Sequence, residues 1–487
     1  MFNLSCKSCV RIQQKQVVDA FRYFCSKSPK SKLYKPLSAP NKKSYGQPTS
    51  ESHPFLLKDG EVTPGISRRE YQDRRQKLVE AIVSYSSQNS KKASTYLIVI
   101  PSATKQYIGC LEPDSCLVLA ANDSPSQHCA TLFMREKDDH AETWDGPRTG
   151  PEEAVNLFGV DQSLSTEELG NFFNCYMKTP QSTSIWYDVV NPVQPKVHEI
   201  LSGFFKTAEN KCWESPKAFV HRLRVIKSPA EQMLMQKSCN IASEAIVKTI
   251  KSSKPGVSEH QIFAKVDYEC RMNGAEILAY PPVVAGGNRA TTIHYINNNQ
   301  LISDGDLVLM DAGCEYHGYS SDITRTWPIN GKFTPEQRCI YEVVLDVQKD
   351  LLKMLENFPS LDKLFDYMCL LLGQRLQDVG LVSKNADASY VIRTAFQFCP
   401  HHVSHYLGMD VHDTPTVPRS IKVVPGMVVT VEPGLYFHEN LRVPKEFRGL
   451  GVRIEDDILI TEDGPVILTK NCPKSIEDVE NTAMQEL

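Results

Sequence analysis

The sequence lacks any hydrophobic run of the length that a membrane span requires. Its 487 residues are 41% hydrophobic, but polar or charged residues interrupt each apolar stretch well before the roughly 20 residues of a transmembrane helix. We therefore expect no membrane insertion. A chain of this length and apolar content can bury more than one hydrophobic core, which predicts two or three domains.

The first 50 residues are almost devoid of acidic side chains. Asp19 is the one acid among ten Lys or Arg residues, and Val17, Phe21 and Phe24 lie at helix-compatible spacing. A basic, Ser-rich segment with few acids is typical of a mitochondrial transit peptide. We therefore expect residues 1–54 to be a basic leader and linker and the protein to reside in the mitochondrial matrix. A disordered basic tail on a cytoplasmic protein is the alternative.

The rest of the chain has few basic residues for its number of acids. The whole sequence contains 54 Lys or Arg and 58 Asp or Glu residues, a net charge of −4. Without the first 50 residues, 44 basic and 57 acidic residues remain, a net charge of −13. Because so acidic a body repels phosphate backbones, we expect no nucleic-acid ligand.

The cysteines lack the regular framework of a disulfide-stabilised secreted domain. All 15 are scattered along the chain, which indicates free thiols in a reducing compartment. No uninterrupted apolar segment follows the first charges, so a secretory signal is not expected either. The sequence also shows no internal repeat.

Composition divides the remaining chain into two domains. Residues 55–221 contain a charged helical segment and the strand candidates "TYLIVI" and "CLVLA", which predicts an α/β domain. Ser228 to Glu231 then combine a cap, an N1 proline and a first-turn acid, a typical helix start. Residues 222–487 continue with helices and the short strands "DLVLMDAG", "MVVTVEPGLYF" and "VRIEDDILI". We predict an α+β fold for this half.

Two aspartates flank a predicted chain reversal in "MDAGCEYHGYSSDITRTW". Asp311 follows an apolar strand candidate, where a carboxylate is costly unless its charge is compensated. Asp322 lies an odd number of residues later, so one straight strand would place the two side chains on opposite faces. A hairpin that reverses near Gly313 or at His317–Gly318 would let the two carboxylates face each other around a cation.

Two glutamates and a histidine cluster extend this pattern. Glu432 precedes a Pro-Gly turn in "TVEPGLYF", and Glu455 lies in the strand candidate "GVRIEDDILI" with Arg453 on the same face. The intervening "PHHVSHYLGMDVHD" supplies His401, His402, His405 and His412. Each residue alone is more often a turn former, an ion-pair partner or a surface histidine than a ligand. Their joint occurrence favours one shared site.

The residue types restrict the metal and the chemistry. Four carboxylates and one imidazole without a thiolate form a hard, anionic site that suits Mn²⁺, Co²⁺ or a similar ion better than structural zinc. Four negative charges are neutralised by two divalent cations, which predicts a dinuclear site, with Mn²⁺ as the expected metal. Such a pair makes hydroxide from water and polarises a carbonyl, so hydrolysis is the predicted reaction.

The motifs also resemble those of a known family. In order and spacing, "DAGCEYHGYSSDITRTWPING", "HHVSHYLGMDVHD", "TVEPGLYF" and "GLGVRIEDDILI" are similar to the aminopeptidase P branch of the pita-bread metallopeptidases, and most similar to its mitochondrial type. The resemblance implies a pita-bread catalytic domain after an α/β domain of the creatinase and aminopeptidase P type. It also implies removal of an N-terminal residue that precedes proline.

The resemblance assigns a role to each candidate site residue. The implied metal ligands are Asp311, Asp322, His405, Glu432 and Glu455. The implied catalytic residues, which act near the water, the leaving group and the oxyanion, are His294, His401 and His412. The implied substrate-binding residues, on the proline side of the cleft, are Tyr436 and Arg453. Peptides or protein N-termini of the Xaa-Pro type are the expected partners, together with a second copy of the chain in a homodimer.

Two departures from the family pattern are visible. His402 occupies a position where many relatives have Gly, and the stretch near 101–110 is shorter than in relatives, where a further strand precedes "EPDS". We expect the shortening to affect the packing of the N-terminal domain, the subunit contact that this domain makes, and catalytic efficiency.

Three alternatives remain open. A pita-bread binding protein would lack ligands, whereas all five positions are filled. A mononuclear zinc site on His401 and His405 would need a glutamate where His402 stands. Prolidase or methionine aminopeptidase activity is the closer rival, and the large N-terminal domain disfavours the latter.

Overall fold

The computed structural model describes residues 45–89, 91–101, 107–123, 127–178, 182–205 and 211–485. The predicted leader lies outside these residues up to position 44, as do residues 102–106 of the shortened stretch. The chain forms two compact units. The N-terminal unit comprises Val83–Glu214 with the residues up to Pro48, and the C-terminal unit comprises Thr49–Ile82 and Ser215–Leu487. The predicted boundaries at 55 and 222 stay a prediction.

The strands of the described residues are short. In chain order they are β1 Glu61–Thr63, β2 Ile66–Ser67, β3 Thr95–Ile100, β4 Cys116–Asn122, β5 His128–Met134, β6 Gln162–Ser165, β7 Thr183–Trp186, β8 Lys211–Glu214, β9 Ile277–Leu278, β10 Val283–Gly286, β11 Leu307–Ala312, β12 Cys314–Tyr316, β13 Tyr319–Ser320, β14 Ile323–Pro328, β15 Val428–Val431, β16 Gly434–Tyr436, β17 Gly451–Arg453, β18 Asp456–Thr461 and β19 Gly464–Ile467.

The helices lie between and after these strands. They are α1 Arg68–Gln88, α2 Asp139–Asp145, α3 Gly150–Phe158, α4 Leu169–Met177, α5 Pro195–Phe205, α6 Lys217–Arg224, α7 Pro229–Ser252, α8 Glu259–Met272, α9 Pro335–Met354, α10 Leu361–Asp378, α11 Ala388–Phe398 and α12 Ile476–Met484, with 3₁₀ turns at Thr166–Glu168, Gly287–Thr291, Leu355–Asn357 and Lys445–Phe447. None of the helices within the described ranges combines the length and the apolar character that crossing a bilayer needs.

The N-terminal unit is built on one six-stranded sheet. Its strand order is β6-β5-β4-β3-β7-β8, and β4 pairs antiparallel with both neighbours while the outer pairs run parallel. Strands β3 and β4, which the sequence predicted, are confirmed. All six side chains of β3 are buried, because a central strand is covered on both faces. A separate core of strand and helix side chains stabilises this unit.

The C-terminal unit consists of several small antiparallel sheets and long helices around one large core. The sheets that matter for the site are β10-β11-β14, β15-β18-β19 and β16-β17. Helix α7 begins as predicted, since Ser228 and Glu231 form a reciprocal capping box with Pro229 in the first turn. Its buried side chains join those of α9, α10 and the strands in the core.

Candidate metal centre

The two aspartates lie where a hairpin returns on itself. Strand β11 pairs antiparallel with β14, and Asp311 is directly opposite Thr324. The chain reverses at His317 and Gly318, which both have positive φ, of 48° and 84°. The predicted hairpin is therefore confirmed, and Asp322 enters the site next to Asp311.

A tyrosine hydroxyl joins the two carboxylates. Tyr280 Oη lies 2.5 Å from Asp311 Oδ1 and 2.5 Å from Asp322 Oδ1. One hydroxyl proton serves two acceptors, so the carboxylates share a single donor at this point. Asp322 is also fixed through its backbone, because its N–H donates to Asp457 Oδ2 at 2.9 Å.

The two glutamates come together at a break in a second strand pair. Val431 pairs with Asp456 and Gly434 pairs with Arg453, so the register continues across the break and places Glu432 opposite Glu455. The prediction of one continuous strand over "GVRIEDDILI" is wrong, because the segment forms two strands, β17 and β18. Pro433 interrupts the partner strand and lacks a ladder donor, while the Glu455 N–H donates instead to the carbonyl of Thr324.

His405 completes the carboxylate cluster. Its Nε2 lies 3.3 Å from Asp322 Oδ2 and 3.6 Å from Glu432 Oε1. Its backbone runs beside β15, where Thr430 N–H donates to the His405 carbonyl and Thr430 Oγ1 accepts from the His405 N–H. Ligand atoms of Asp322, His405 and Glu455 all lie within 4.8 Å of one another. All five predicted ligands thus fall into one contiguous group.

Arg453 and Tyr436 support one side of this group. Arg453 Nη2 donates to Asp311 Oδ2 at 2.6 Å, and Nη1 donates to Tyr436 Oη at 2.9 Å. Arg453 Nε also reaches Thr324 Oγ1 at 2.9 Å, and this hydroxyl donates to Glu455 Oε2 at 2.6 Å. The arginine is fully buried, so its charge acts on the carboxylates with little solvent screening.

The three predicted catalytic histidines surround the cluster at different depths. His401 Nε2 lies 2.9 Å from Tyr436 Oη, and its Nδ1 lies 3.7 Å from Glu432 Oε2. The exposed His412 packs edge-on against His405, with ring centroids 4.5 Å apart. His294 is exposed, on the turn after the 3₁₀ segment Gly287–Thr291. Burial, followed by neighbouring charges that include that of His294, lowers the pKa of both His401 and His412.

Burial and mutual repulsion perturb the ionisation of the carboxylates. Burial, followed by the charges of the neighbouring carboxylates, raises the pKa of Glu455 well above its usual value. Burial raises the pKa of Glu432 to about 7, although the positive charges of His405 and Arg453 oppose this rise. Burial opposes ionisation of Asp322 too, but its hydrogen bond to His405 outweighs this effect and lowers its pKa. The His405 pKa rises to about 9 against the burial penalty, because Asp322 and Glu432 stabilise its charged form.

The donor set fits divalent cations. Four carboxylates, two buried and two half-buried, share a small volume with the positive charge of Arg453. Glu432 and Glu455 are directly opposite each other, where like charges repel. Buried carboxylates require paired or metal-bound charge. Oxygen donors with one imidazole suit a hard divalent ion. The residues present therefore match the predicted metal centre.

Three supporting residues were missed by the sequence reasoning. Tyr280 bridges the aspartates, Thr324 links Arg453 to Glu455, and Asp457 accepts both the Asp322 N–H and the Cys239 thiol, at 2.9 and 3.2 Å. Tyr280 belongs to "AYPPV" upstream of the first ligand and could have been noticed there. Thr324 and Asp457 lie in strands β14 and β18, and their contacts depend on strand pairings that the sequence does not reveal.

His402 points away from the carboxylates. Its ring stacks on Phe365 with centroids 5.0 Å apart and 15° between the planes, and its Nδ1 accepts the Ser404 N–H at 3.2 Å. The imidazole of His402 is thus accommodated beside the site.

Comparison with known proteins decides the family. Residues 233–462 match the model of metallopeptidase family M24, and residues 71–186 match that of the aminopeptidase P N-terminal domain. The chain is 44% identical over 464 residues to Xaa-Pro aminopeptidase 3 of Homo sapiens, covering 90% of each chain. The chain belongs to metallopeptidase family M24.

Other M24 proteins agree with this assignment. The chain is 38% identical over 443 residues to the Arabidopsis thaliana intermediate cleaving peptidase 55, mitochondrial, covering 89% of this chain and 87% of the relative. It superposes on zinc-substituted E. coli aminopeptidase P in complex with product with a TM-score of 0.78 and 31% identity, covering 86% and 98% of the chains. The predicted aminopeptidase P domain and pita-bread domain are confirmed, and the M24 chain is a metal-dependent aminopeptidase.

Proposed function

We propose that the chain releases the N-terminal residue from peptides that carry proline in second position. The contiguous group of Asp311, Asp322, His405, Glu432 and Glu455 carries this proposal, because four carboxylates and one imidazole are a donor set that supports a hydrolytic metal centre. The sequence identity to proteins named Xaa-Pro aminopeptidase supports the substrate class. An Xaa-Pro bond has no N–H, so a selective enzyme must recognise the proline ring and the free α-amine.

We infer that these five residues bind two divalent ions, with Mn²⁺ as the native metal. Two such ions match the four carboxylate charges, and the oxygen-rich donor set supports a hard cation. When bound, they polarise a substrate carbonyl and lower the pKa of water. Arg453 holds Asp311 through a direct ion pair at 2.6 Å and thereby orients one carboxylate toward the centre.

The histidines supply proton chemistry around this centre in our proposal. Burial lowers the pKa of His401 to about 4, so its ring is neutral near pH 7. Its Nδ1 donates to the carbonyl of His402 at 3.0 Å, which leaves Nε2 to accept from Tyr436 Oη at 2.9 Å. His294 and His412 are exposed and can exchange protons with solvent. Tyr436 and Arg453 are proposed to line the proline side of the cleft, which their hydrogen bond to each other supports.

We also propose a homodimer in the mitochondrial matrix. The basic, acid-poor leader supports import, as does the relative named as mitochondrial. Removal of one residue at a time requires a cleft with a closed end. A second subunit can help to close it. Protein N-termini of the Xaa-Pro type are the proposed substrates.

The test compares matched peptides with and without Mn²⁺. Purified protein is incubated with an Xaa-Pro-Xaa peptide, its Xaa-Ala-Xaa counterpart and an Xaa-Pro dipeptide. We expect Mn²⁺-dependent release of the first residue from the Xaa-Pro-Xaa peptide. We also expect at least a 100-fold loss of kcat in Asp322→Ala, because removing a ligand should cost more than the roughly 10–100-fold lost when only a residue behind a ligand is changed. Asp346→Ala, an exposed acid on α9, is the control. Equal cleavage of both tripeptides, or full activity in Asp322→Ala, contradicts the proposal, and faster cleavage of the dipeptide indicates a prolidase.

A further inference from the structure

A buried glutamate outside the carboxylate cluster has four hydrogen-bond donors around it. Glu259 is the first residue of α8 and has no exposed surface. Its Oε1 accepts from Gly286 N–H at 3.0 Å and Arg289 Nε at 2.6 Å, and its Oε2 accepts from Tyr295 Oη and Gln300 N–H, both at 2.9 Å. A buried carboxylate is costly unless it is satisfied in this way.

All four donors belong to one segment, residues 286–300, which we name the histidine loop because it carries His294. Glu259 therefore holds the beginning, the middle and the end of this loop with a single carboxylate. Arg289 reinforces the closure, since its Nη2 donates to the carbonyl of Leu301 at 3.2 Å. The carboxylate lies at the N-terminal end of α8, where the helix dipole also stabilises a negative charge.

A second anchor acts on the returning arm of the histidine loop. Asn298 has a positive φ of 46° and is almost fully buried. Its side-chain oxygen accepts the Val284 N–H and its amide donates to the carbonyl of Pro282, both at 2.8 Å. The loop is thereby attached to β10, which pairs through Val283 with Asp311. The loop thus has one anchor on α8 and one on the sheet that carries the first aspartate.

The first residues of the loop are closely packed against their neighbours. A Cβ on Gly286 would lie 2.8 Å from the Ile302 side chain, and one on Gly287, at φ +57°, would lie 2.8 Å from Asp306 Oδ1. His294 itself is exposed and adjacent to Tyr295, the residue whose hydroxyl the carboxylate holds. The position of the imidazole is therefore set by the tether at Tyr295 more than by packing of its own ring.

We propose that Glu259 is a positioning residue, which fixes the histidine loop so that His294 keeps its place near the metal centre, where the flanking Ile293 and Tyr295 pack against the cluster that contains Tyr436. This inference rests on the proposed function, because it assigns Glu259 a role through the proposed role of His294. It assigns to Glu259 no contact with substrate or metal.

Kinetics of matched variants provide the first test. Glu259→Gln keeps the shape but places an amide against four donors, and Tyr295→Phe removes one hydrogen bond next to His294. We expect kcat to fall at least tenfold in Glu259→Gln, with KM changed less than about threefold and metal content unchanged, because general acid–base groups act in the transition state. The control is Glu269→Gln, which alters a carboxylate of the same helix that pairs with Lys248 and Lys265. An equal loss in the control overturns the proposal.

A double-mutant cycle and hydrogen exchange separate positioning from stability. If Glu259 acts through His294, Glu259→Gln combined with His294→Ala is no slower than His294→Ala alone, whereas additive losses overturn the proposal. Amide exchange over residues 286–300 in metal-free protein should increase in Glu259→Gln and not in Glu269→Gln, and unchanged exchange also overturns it. Should Glu259→Gln fail to fold, Tyr295→Phe decides by the same measurements. Wild-type protein that leaves Xaa-Pro peptides intact contradicts the proposed function, while the exchange experiment still tests the tether.

Discussion

At the scale of single residues, Arg453 shows how the site balances its charges. The guanidinium contacts Asp311, Tyr436 and Thr324 at once, and it is fully buried among carboxylates. A divalent ion and this arginine therefore both neutralise the negative charge of the same carboxylates. Their overlap makes the effect of removing the arginine depend on the metal.

We predict that Arg453→Gln destabilises metal-free protein more than metal-loaded protein. Removing one partner of a buried ion pair typically costs about 3–5 kcal/mol, and bound cations compensate part of the excess negative charge. The free energy of unfolding should be measured by urea denaturation with EDTA and with Mn²⁺. Arg74→Gln, which breaks the ion pairs with Glu70 and Glu231, should cost the same in both conditions. An identical loss for Arg453→Gln with and without metal contradicts this prediction.

His221 couples stability to pH at a position far along the chain from the ligands. Its Nδ1 lies 2.9 Å from Thr416 Oγ1 and accepts the Thr416 N–H at 3.3 Å. Burial, followed by the charge of Arg224, lowers the pKa of His221 from 6.5 to about 4. The folded state therefore resists protonation more than the unfolded state does.

Neutral His221 makes the protein more stable at neutral pH than at acidic pH. The contribution of His221 to stability is complete above pH 6.5 and decreases as the pH falls through 6.5 toward 4, because the unfolded chain binds the proton first. We predict that His221→Gln narrows the difference in unfolding free energy between pH 7 and pH 5. His438→Gln, at an exposed histidine, should leave the wild-type difference unchanged. If His221→Gln shows the same difference in unfolding free energy between pH 7 and pH 5 as the wild type, His221 does not cause this pH dependence.

At the scale of secondary-structure elements, much of the C-terminal unit could be predicted from the sequence. The start of α7 at Ser228 and the reversal at His317–Gly318 depend on local signals of capping and positive φ, and local signals are visible in a sequence. The break between β17 and β18 could not be predicted, because Pro433 on the partner strand causes it. The same limit applies to Tyr280 and Thr324, whose importance arises from pairing with distant strands.

The hairpin that carries Asp311 and Asp322 requires a glycine at position 313. A Cβ at this position would lie 1.7 Å from the carbonyl oxygen of Ser321, so the two arms can approach only where no side chain is present. We predict that Gly313→Ala separates the arms, displaces Asp322 and lowers the Mn²⁺ affinity at least tenfold, as measured by isothermal titration calorimetry. Gly203→Ala, in helix α5 with open space around the added methyl group, should bind Mn²⁺ as the wild type does. Wild-type affinity in Gly313→Ala would show that the hairpin tolerates the methyl group.

At the scale of the whole molecule, the two compact units have separate cores, and the five proposed ligands all belong to the C-terminal unit. Ligand types and order could be read from the sequence, because carboxylates and histidines beside apolar strands are unusual. That they share one site could be inferred from their joint occurrence, but the distances between them could not, since these depend on how β11, β14, β15 and β18 are arranged in space. A metal that binds this group stabilises the structure around it by mass action.

We predict that Mn²⁺ slows amide hydrogen exchange in the ligand-bearing segments and leaves the N-terminal sheet unchanged. Protection should increase over residues 307–328, 401–412 and 428–461, because ions that cross-link these segments oppose their local opening. Strands β4 and β5 belong to the other compact unit, so their exchange should be the same with Mn²⁺ and with EDTA. In Asp322→Ala the metal-dependent protection should disappear from all three segments together, because the ligands act as one group. Protection that persists in this variant, or that spreads equally through β4 and β5, would mean that the metal binds elsewhere.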